Sequence, residues 1–92
     1  MELDFDKHQC ARAGKPIPLT AREFDILKLL IRHRGDVVSR ERILTQACGY
    51  DSAATTRTVD THIARLRRKL ERDAAEPQYI VSVYGGGYKF VG

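Results

Sequence analysis

One short segment concentrates the basic residues of this chain in a pattern that suits contact with a polyanion. Between Arg57 and Arg72 the sequence RTVDTHIARLRRKLER carries six lysine and arginine residues against Asp60 and Glu71, a balance of +4. The whole chain of 92 residues has the same net charge, +4, so the remaining residues sum to zero. Charge concentrated in this way is typical of a surface that binds nucleic acid.

The apolar residues of the same segment have the spacing of a helix. Four of them recur at i, i+4, i+7 and i+11 and would form one stripe on a helix: Val59, Ile63, Leu66 and Leu70. A rotation of about 100° per residue places a second set on the opposite side. That set consists of Arg57, Thr61, Ala64, Arg65, Arg68 and Arg72. The segment is therefore predicted to be a helix with one face in a core and a cationic face opposite.

The residues at the start of the chain predict a small sheet. Leu3 and Phe5 alternate with charged residues, a pattern typical of a half-buried strand. A second strand is predicted over Gln9–Ala13, and a third begins at Ile17, after turn residues that end at Pro16. A short antiparallel meander of three strands is the expected result.

Capping residues indicate two further helices. Thr20 and Glu23 form a T-x-x-E capping box, and the basic turn before Gly35 indicates the end of that first helix. Ser39 is expected to cap a second helix that continues to about Ala47.

The connections around these helices are predicted to be extended or irregular. Val37-Val38 forms a brief extended link between the first two helices. Residues 49–56 lose the helical periodicity and indicate an exposed loop. Thr55 or Thr56 is then expected to cap the basic third helix.

The last residues of the chain predict a β-hairpin. Residues 79–84 are β-branched and aromatic, as strands favour. Gly85, Gly86 and Gly87 supply a tight turn, and residues 88–91 return as the partner strand. Three helices and a hairpin, with the third helix basic, make a winged helix-turn-helix of the α+β class.

Composition limits the other possibilities. No apolar run approaches the roughly 20 residues of a membrane span, and the acidic start is not a signal peptide, so a cytoplasmic protein is expected. Cys10 and Cys48 lack the spacing of metal ligands and are expected to be small buried side chains. Asp4 and Asp6 have no accompanying base or nucleophile motif, so no enzymatic activity, metal or cofactor is expected.

Four segments resemble the DNA-binding effector domain of the OmpR/PhoB class of bacterial two-component response regulators. They are LTAREFDILKLL (19–30), VVSRERIL (37–44), RTVDTHIARLRRKL (57–70) and VYGGGYKF (83–90), in the order and at the spacing of that class. The resemblance implies one winged-helix domain over residues 1–92, with a four-stranded N-terminal sheet whose fourth strand would be the Pro18-Leu19 edge. It also implies that the third helix enters the DNA major groove while the hairpin, or wing, lies on the adjacent backbone or minor groove.

The same resemblance implies a role for individual residues. The side chains expected to approach base edges are Thr61, Ala64, Arg65 and Arg68. Those expected to contact phosphates are Arg40, Arg57, His62, Arg67, Lys69, Ser82 and Tyr88. The wing tip consists of Tyr84, Gly85, Gly86 and Gly87, and the segment expected to contact RNA polymerase consists of Gly49, Tyr50, Asp51 and Ser52.

Three residues depart from the pattern of the class. Tyr84 stands where many relatives carry an arginine, so a minor-groove guanidinium is missing and the ring is expected to pack on sugars. Ala64 replaces a frequent cation, which leaves room for a thymine methyl group. Cys48 precedes Gly49 where tryptophan is common, so no phosphate contact from an indole is expected there.

The resemblance also implies partners. The class binds double-stranded DNA as a head-to-tail dimer on direct repeats, and its dimerisation is driven mainly by a receiver domain that is absent from this chain. The isolated domain is therefore expected to be mostly monomeric. The receiver domain and a sensor kinase would belong to the full-length protein, and RNA polymerase would be a further partner.

Two alternatives to duplex DNA binding remain open. The first is a winged helix that binds an acidic protein and reads no DNA; the second, weaker one is binding to RNA. Small Thr61 and Ala64 beside Arg65 and Arg68 suit a groove better than a protein interface, which favours aromatic or aliphatic anchors. A-form RNA, in turn, hides its major groove from a helix.

Overall fold

The computed structural model describes residues 2–7, 9–47 and 55–91, which form two antiparallel sheets and three helices. The first four elements are β1 (Glu2–Asp4), β2 (Gln9–Arg12), β3 (Lys15–Ile17) and α1 (Ala21–Arg32). The remaining elements are β4 (Val37–Val38), α2 (Arg40–Ala47), α3 (Thr56–Leu70), β5 (Ile80–Val83) and β6 (Gly87–Phe90). This order is that of the predicted winged helix.

The N-terminal sheet has three strands in the order β1-β2-β3. Its register pairs Leu3 with Cys10 and Cys10 with Ile17, so these three side chains share one face of the sheet. Cys10 is buried, as predicted, and burial raises the pKa of its thiol. The fourth strand implied at Pro18-Leu19 is wrong, because these residues pair with no strand within the described chain. Pro18 has no amide hydrogen to donate to a ladder.

The first helix begins as its sequence predicts. The Glu23 amide donates to the Thr20 hydroxyl over 3.2 Å, and the Thr20 amide donates to a Glu23 carboxylate oxygen over 2.9 Å. This reciprocal pair is the predicted capping box. The helix ends at Arg32, earlier than the position of Gly35 suggested, with His33 as its C-cap.

The wing contains one more strand than the sequence indicated. Val37-Val38, expected only as a link, pairs with β6 as Val37 with Lys89 and Val38 with Tyr88. The sheet order is therefore β4-β6-β5. The glycine turn also differs, because Gly87 pairs with Val83 inside β6 and the turn itself is formed by residues 84–86.

The third helix places the predicted apolar stripe in the core. All four stripe residues have 0% exposure: Val59, Ile63, Leu66 and Leu70. They belong to one cluster with buried residues of α1, α2 and β5, namely Ile26, Leu27, Leu30, Ile43 and Ile80. Burying side chains of this size contributes about 1.5–3 kcal/mol each, so the rotation of α3 is fixed by its apolar side.

The end of α3 corrects one expectation for the cationic face. Glu71 is the C-cap of the helix and has an extended backbone, with φ −80° and ψ 143°. Arg72 therefore lies beyond the helix and does not continue its exposed face. Among the described residues, no helix is both long and apolar enough to cross a membrane.

Candidate nucleic-acid interface

The side of α3 opposite the core is exposed and basic. Each of the four residues predicted to approach bases is exposed: Thr61, Ala64, Arg65 and Arg68. Arg57, predicted to contact phosphate, is exposed at the start of the same helix. The Thr61 hydroxyl donates to the Arg57 carbonyl oxygen over 3.1 Å, which keeps that side chain close to the helix surface. The structure thus brings these five residues together on one surface.

A carboxylate on α3 joins the second helix to the wing. Asp60 accepts hydrogen bonds from Arg40, through Nε over 3.0 Å and through Nη2, and from the Tyr88 hydroxyl over 2.6 Å. Burial raises the pKa of Asp60, but the bonds from Tyr88 and Arg40 outweigh it, so the net pKa is lowered. Burial and the bond to Asp60 raise the pKa of Tyr88 to about 12. Two predicted phosphate ligands, Arg40 and Tyr88, therefore have an internal partner.

Arg67 ties the same helix to the other wing strand. Its Nε donates to the Ile80 carbonyl oxygen over 3.1 Å, and its Nη2 donates to the Ser82 hydroxyl over 2.8 Å. Its guanidinium carbon also lies 5.4 Å from the centre of the Tyr88 ring, within the range of a cation–π contact. Arg67 and Ser82, both predicted to contact phosphate, are therefore bonded to each other.

Lys69 faces α1 and not the exposed side of α3. Its ammonium donates to the Glu23 carboxylate over 2.5 Å, and Glu23 is only 1% exposed. Burial raises the pKa of Glu23, but hydrogen bonds from Lys69 and Thr20 outweigh it, so the net pKa is lowered. The chief role of Lys69 in the structure is to neutralise a buried carboxylate.

Replacing Lys69 with methionine is expected to lower stability most near neutral pH. The change would leave a charged, buried Glu23 without its cation, at a cost of about 2 kcal/mol, less than for a fully buried pair because Lys69 is partly exposed. The folded-state pKa of Glu23 lies below its unfolded value, so its contribution is present above the unfolded pKa and is lost as pH falls through the folded pKa.

Urea unfolding of the wild type and Lys69→Met between pH 3 and pH 7 tests this pairing. The difference in unfolding free energy should shrink as the pH falls through the lowered folded-state pKa of Glu23. Lys15→Met, at an exposed position in β3, serves as the charge-matched control. A difference that does not change with pH would contradict the assignment.

His62 lies at the boundary of the exposed face. It is half-buried, and its Nδ1 is buried with no hydrogen-bond partner among the described residues. Burial and the nearby guanidinium groups of Arg65 and Arg22 lower its pKa, while Glu23 acts in the opposite direction. The neutral imidazole is therefore favoured in the domain, and the predicted phosphate contact of His62 stays a prediction.

The wing tip extends into solvent. Tyr84 has a relative exposure of 106%, and Gly85 beside it has a left-handed backbone, with φ +71°. An open cavity of about 390 Å³ separates the tip from the start of α2. Its lining includes Arg40, Asp60, Ser82, the turn glycines and Tyr88. The predicted polymerase-contact residues Gly49, Tyr50, Asp51 and Ser52, and also Cys48, lie outside the described residues.

Three acidic residues make long-range contacts that the sequence did not predict. Asp60 and Glu71 entered the charge balance only as two negative charges, and Glu23 was recognised only as half of a capping box. Tyr88, the partner of Asp60, is 28 positions away in sequence, and Lys69, the partner of Glu23, is 46 positions away. No local spacing signals such a pairing; an acid within a basic, amphipathic helix was the only available hint.

The fold and the surface together define a winged helix-turn-helix of the DNA-binding class. The core fixes α3 with its basic side outward, and a three-stranded wing is bonded to that helix. Comparisons with known proteins identify the family.

The chain matches the family described as "Transcriptional regulatory protein, C terminal" over residues 14–90. It is 43% identical over 89 residues to the DNA-binding response regulator MtrA of Mycolicibacterium smegmatis, covering 97% of this chain and 39% of MtrA. It is also similar to the response regulator DrrB, a Thermotoga maritima OmpR/PhoB homologue, with a TM-score of 0.90 and 37% identity. That match covers 98% of this chain and 41% of DrrB.

A third similar structure contains DNA. It is the DNA-binding domain of Klebsiella pneumoniae RstA in complex with the RstA box, with a TM-score of 0.83 and 35% identity. The match covers 97% of this chain and 88% of that one.

The chain belongs to this family of transcriptional regulatory C-terminal domains, as its resemblance to the OmpR/PhoB class implied. It is a winged-helix DNA-binding domain of the response-regulator type, which confirms the predicted class. It spans about two-fifths of the length of the curated relatives that it matches.

Proposed function

We propose that the domain reads double-stranded DNA with α3 in the major groove. The observation that carries this proposal is the division of α3 into a fully buried apolar stripe and an exposed basic side. Thr61, Ala64, Arg65 and Arg68 approach base edges, where arginine can bond guanine and a small methyl-bearing side chain can meet thymine. The absence of aromatic side chains among these four residues also disfavours a protein interface.

Phosphate contacts hold the helix in register. Arg57 is exposed at the start of α3 and His62 lies at the edge of the reading surface, so both are placed to meet the backbone. Tyr84 at the wing tip packs on sugars of the adjacent backbone or minor groove. The phosphate contacts predicted for Arg40, Arg67, Lys69, Ser82 and Tyr88 stay predictions, because each of these side chains already has an internal partner.

The wider assembly follows the class. We propose that residues 1–92 are one domain of a longer cytoplasmic protein that also has a receiver domain and responds to a sensor kinase. The length of the relatives, of which this chain covers about two-fifths, supports that proposal. On DNA two copies bind head to tail on direct repeats, whereas the isolated domain is mostly monomeric. Residues 49–52 contact RNA polymerase, and the domain catalyses no reaction and holds no cofactor.

Selection from a randomised double-stranded DNA library at two salt concentrations tests the proposed reading. We expect enrichment of a direct-repeat motif, with log affinity falling linearly with log salt as phosphate contacts release counterions. Steep salt dependence without any enriched motif would reduce the proposal to a basic surface. No retention at low salt would favour the protein-binding winged helix instead.

Substitutions at Arg65 and Arg57 should distinguish the effect of losing a base contact from that of losing a phosphate contact. Arg65→Ala is expected to cost about 1–3 kcal/mol and to relax the preference at one base position. Arg57→Ala should weaken all sequences alike and reduce the slope of log affinity against log salt by about 1. Arg57 suits this test better than Arg67, whose removal would also release β5.

Binding of each variant to every single-base substitution of the selected site measures the two effects. Equal loss of discrimination in Arg65→Ala and Arg57→Ala would contradict this division of roles.

A further inference from the structure

A set of hydrogen bonds holds the wing at two points on α3, the helix proposed to read DNA. We name it the clasp and define it as Arg40, Asp60, Arg67, Ser82 and Tyr88. Asp60 and Arg67 are the two members on α3, and seven positions place them about two turns apart on the same side. Asp60 accepts a hydrogen bond from the hydroxyl of Tyr88 in β6, and Arg67 donates one to the hydroxyl of Ser82 in β5. Both strands of the hairpin are therefore bonded to the same helix.

Tyr88 is the central member of the clasp. Its hydroxyl donates to Asp60 over 2.6 Å, and its ring lies under the Arg67 guanidinium at 5.4 Å. Its exposed fraction is only 8%. Because α3 contacts both the hydroxyl and the ring face, this one side chain helps to fix the distance and angle between α3 and β6.

Asp60 also extends the clasp to α2, through Arg40. Arg40, the first residue of α2, donates to both oxygens of Asp60 in a two-point pair. Such fork-to-fork pairs fix geometry as well as charge. Asp60 thus joins the start of α2, the reading helix and the wing in one arrangement.

The clasp conflicts with a phosphate-binding role for its members. A phosphate that accepted from the Tyr88 hydroxyl would have to displace the Asp60 carboxylate. A phosphate that bound Arg40 would meet a guanidinium whose Nε and Nη2 already donate to that carboxylate. It would also bring a second negative charge beside Asp60 in the cavity between the wing and α2.

We infer that Asp60 is a positioning residue for DNA reading, which holds the wing in place through Tyr88, holds Arg40 directly and contacts no phosphate. The inference rests on the proposed reading by α3. It assigns Arg40 and Tyr88 to the geometry of the reading surface and not to the backbone contacts that the class resemblance implied. Specific binding needs α3 and the wing to contact neighbouring parts of the duplex together, whereas non-specific binding needs only charge.

Tyr88→Phe is the most direct test, since it removes one hydroxyl group and no charge. We expect affinity for the selected duplex to fall about tenfold, while affinity for a scrambled duplex of equal composition stays within about twofold. The salt slope should not change. Tyr79→Phe is the matched control, because it removes the same atom from a tyrosine whose ring stacks on Phe90 at 6.2 Å.

Asp60→Leu provides the second variant, because it removes both acceptor oxygens, and so frees Arg40 and the Tyr88 hydroxyl, while leaving a side chain of similar size. Scrambled-duplex affinity should rise and its salt slope should steepen by about 1, as one more cation becomes available to phosphate. The ratio of specific to non-specific affinity should fall. The double variant with Tyr88→Phe should show no further loss of that ratio, because both changes break the same bond.

Equal losses on selected and scrambled duplexes in Tyr88→Phe would make Tyr88 a phosphate ligand and overturn the inference. No loss on either duplex would also overturn it. Failure of the proposed function is distinguishable, because the wild type would then bind the selected and scrambled duplexes equally. Urea unfolding of each variant, done beside the binding, ensures that the ratios compare folded proteins.

Discussion

Gly87→Ala is expected to destabilise the domain by about 4 kcal/mol, since backbone strain and overpacking each cost about 1–3 kcal/mol. Gly87 has φ +125°, a backbone conformation that residues with a side chain rarely adopt. An added Cβ would lie 2.2 Å from the Val38 carbonyl oxygen and 2.9 Å from the Ser39 Cα. These are backbone atoms of β4 and of the residue before α2. The clash could be relieved only by separating β4 from β6, and the pairing of these two strands positions the wing.

Two neighbouring glycines separate the causes of that loss. Gly85 has φ +71° but open space around its Cβ position, so Gly85→Ala tests backbone strain alone, at about 1–2 kcal/mol. Gly86 has no positive φ, and its Cβ would meet side chains and no backbone, the nearest being Val37 at 3.1 Å and Val83 at 3.5 Å, so Gly86→Ala tests mild crowding. Thermal and urea unfolding of the three variants should rank Gly87→Ala far below the others, with a fall in Tm of roughly 20 °C. Equal effects at Gly85 and Gly87 would contradict the steric argument.

The sequence predicted those parts of the fold that local patterns determine. The stripe from Val59 to Leu70 has a helical period, and the Thr20–Glu23 pair is a local capping motif, and both are present. The pairing of Val37-Val38 with β6 was missed because a two-residue strand has too few residues to show alternation. The role of Gly87 was missed for a related reason: three successive glycines look alike until the neighbouring backbone is known.

The functional surface was predictable only where it faces outward. Arg57, Arg65 and Arg68 are exposed, as the side of an amphipathic helix opposite its buried stripe requires. Arg40 and Lys69 carry the same charge, yet each faces an acidic partner on a different helix. Residue type and helical phase predict the direction of a side chain but not the residue that it contacts. The class resemblance had the same limit, since it assigns roles to residues without giving their hydrogen-bond partners within the domain.

Glu71→Ala should destabilise the domain by about 3 kcal/mol, because burying unsatisfied backbone amides costs roughly 1–3 kcal/mol each. Glu71 is 5% exposed, and its carboxylate accepts from the amides of Gln78, Tyr79 and Ile80 at 2.8–3.1 Å. These amides belong to the segment that leads into β5. Glu71 therefore joins the end of the reading helix to the start of the wing.

Urea unfolding and amide hydrogen exchange measure the two consequences of this substitution. The free energy of unfolding should fall, and the amides of Tyr79 and Ile80 should exchange faster than those of the neighbouring strand. Glu76→Ala removes the same charge at an exposed position and should change stability by less than about 0.5 kcal/mol. Glu71→Gln keeps one carbonyl acceptor and should lie between the two. If Glu71→Ala behaved like Glu76→Ala, the carboxylate would not be what fixes the wing to the end of α3.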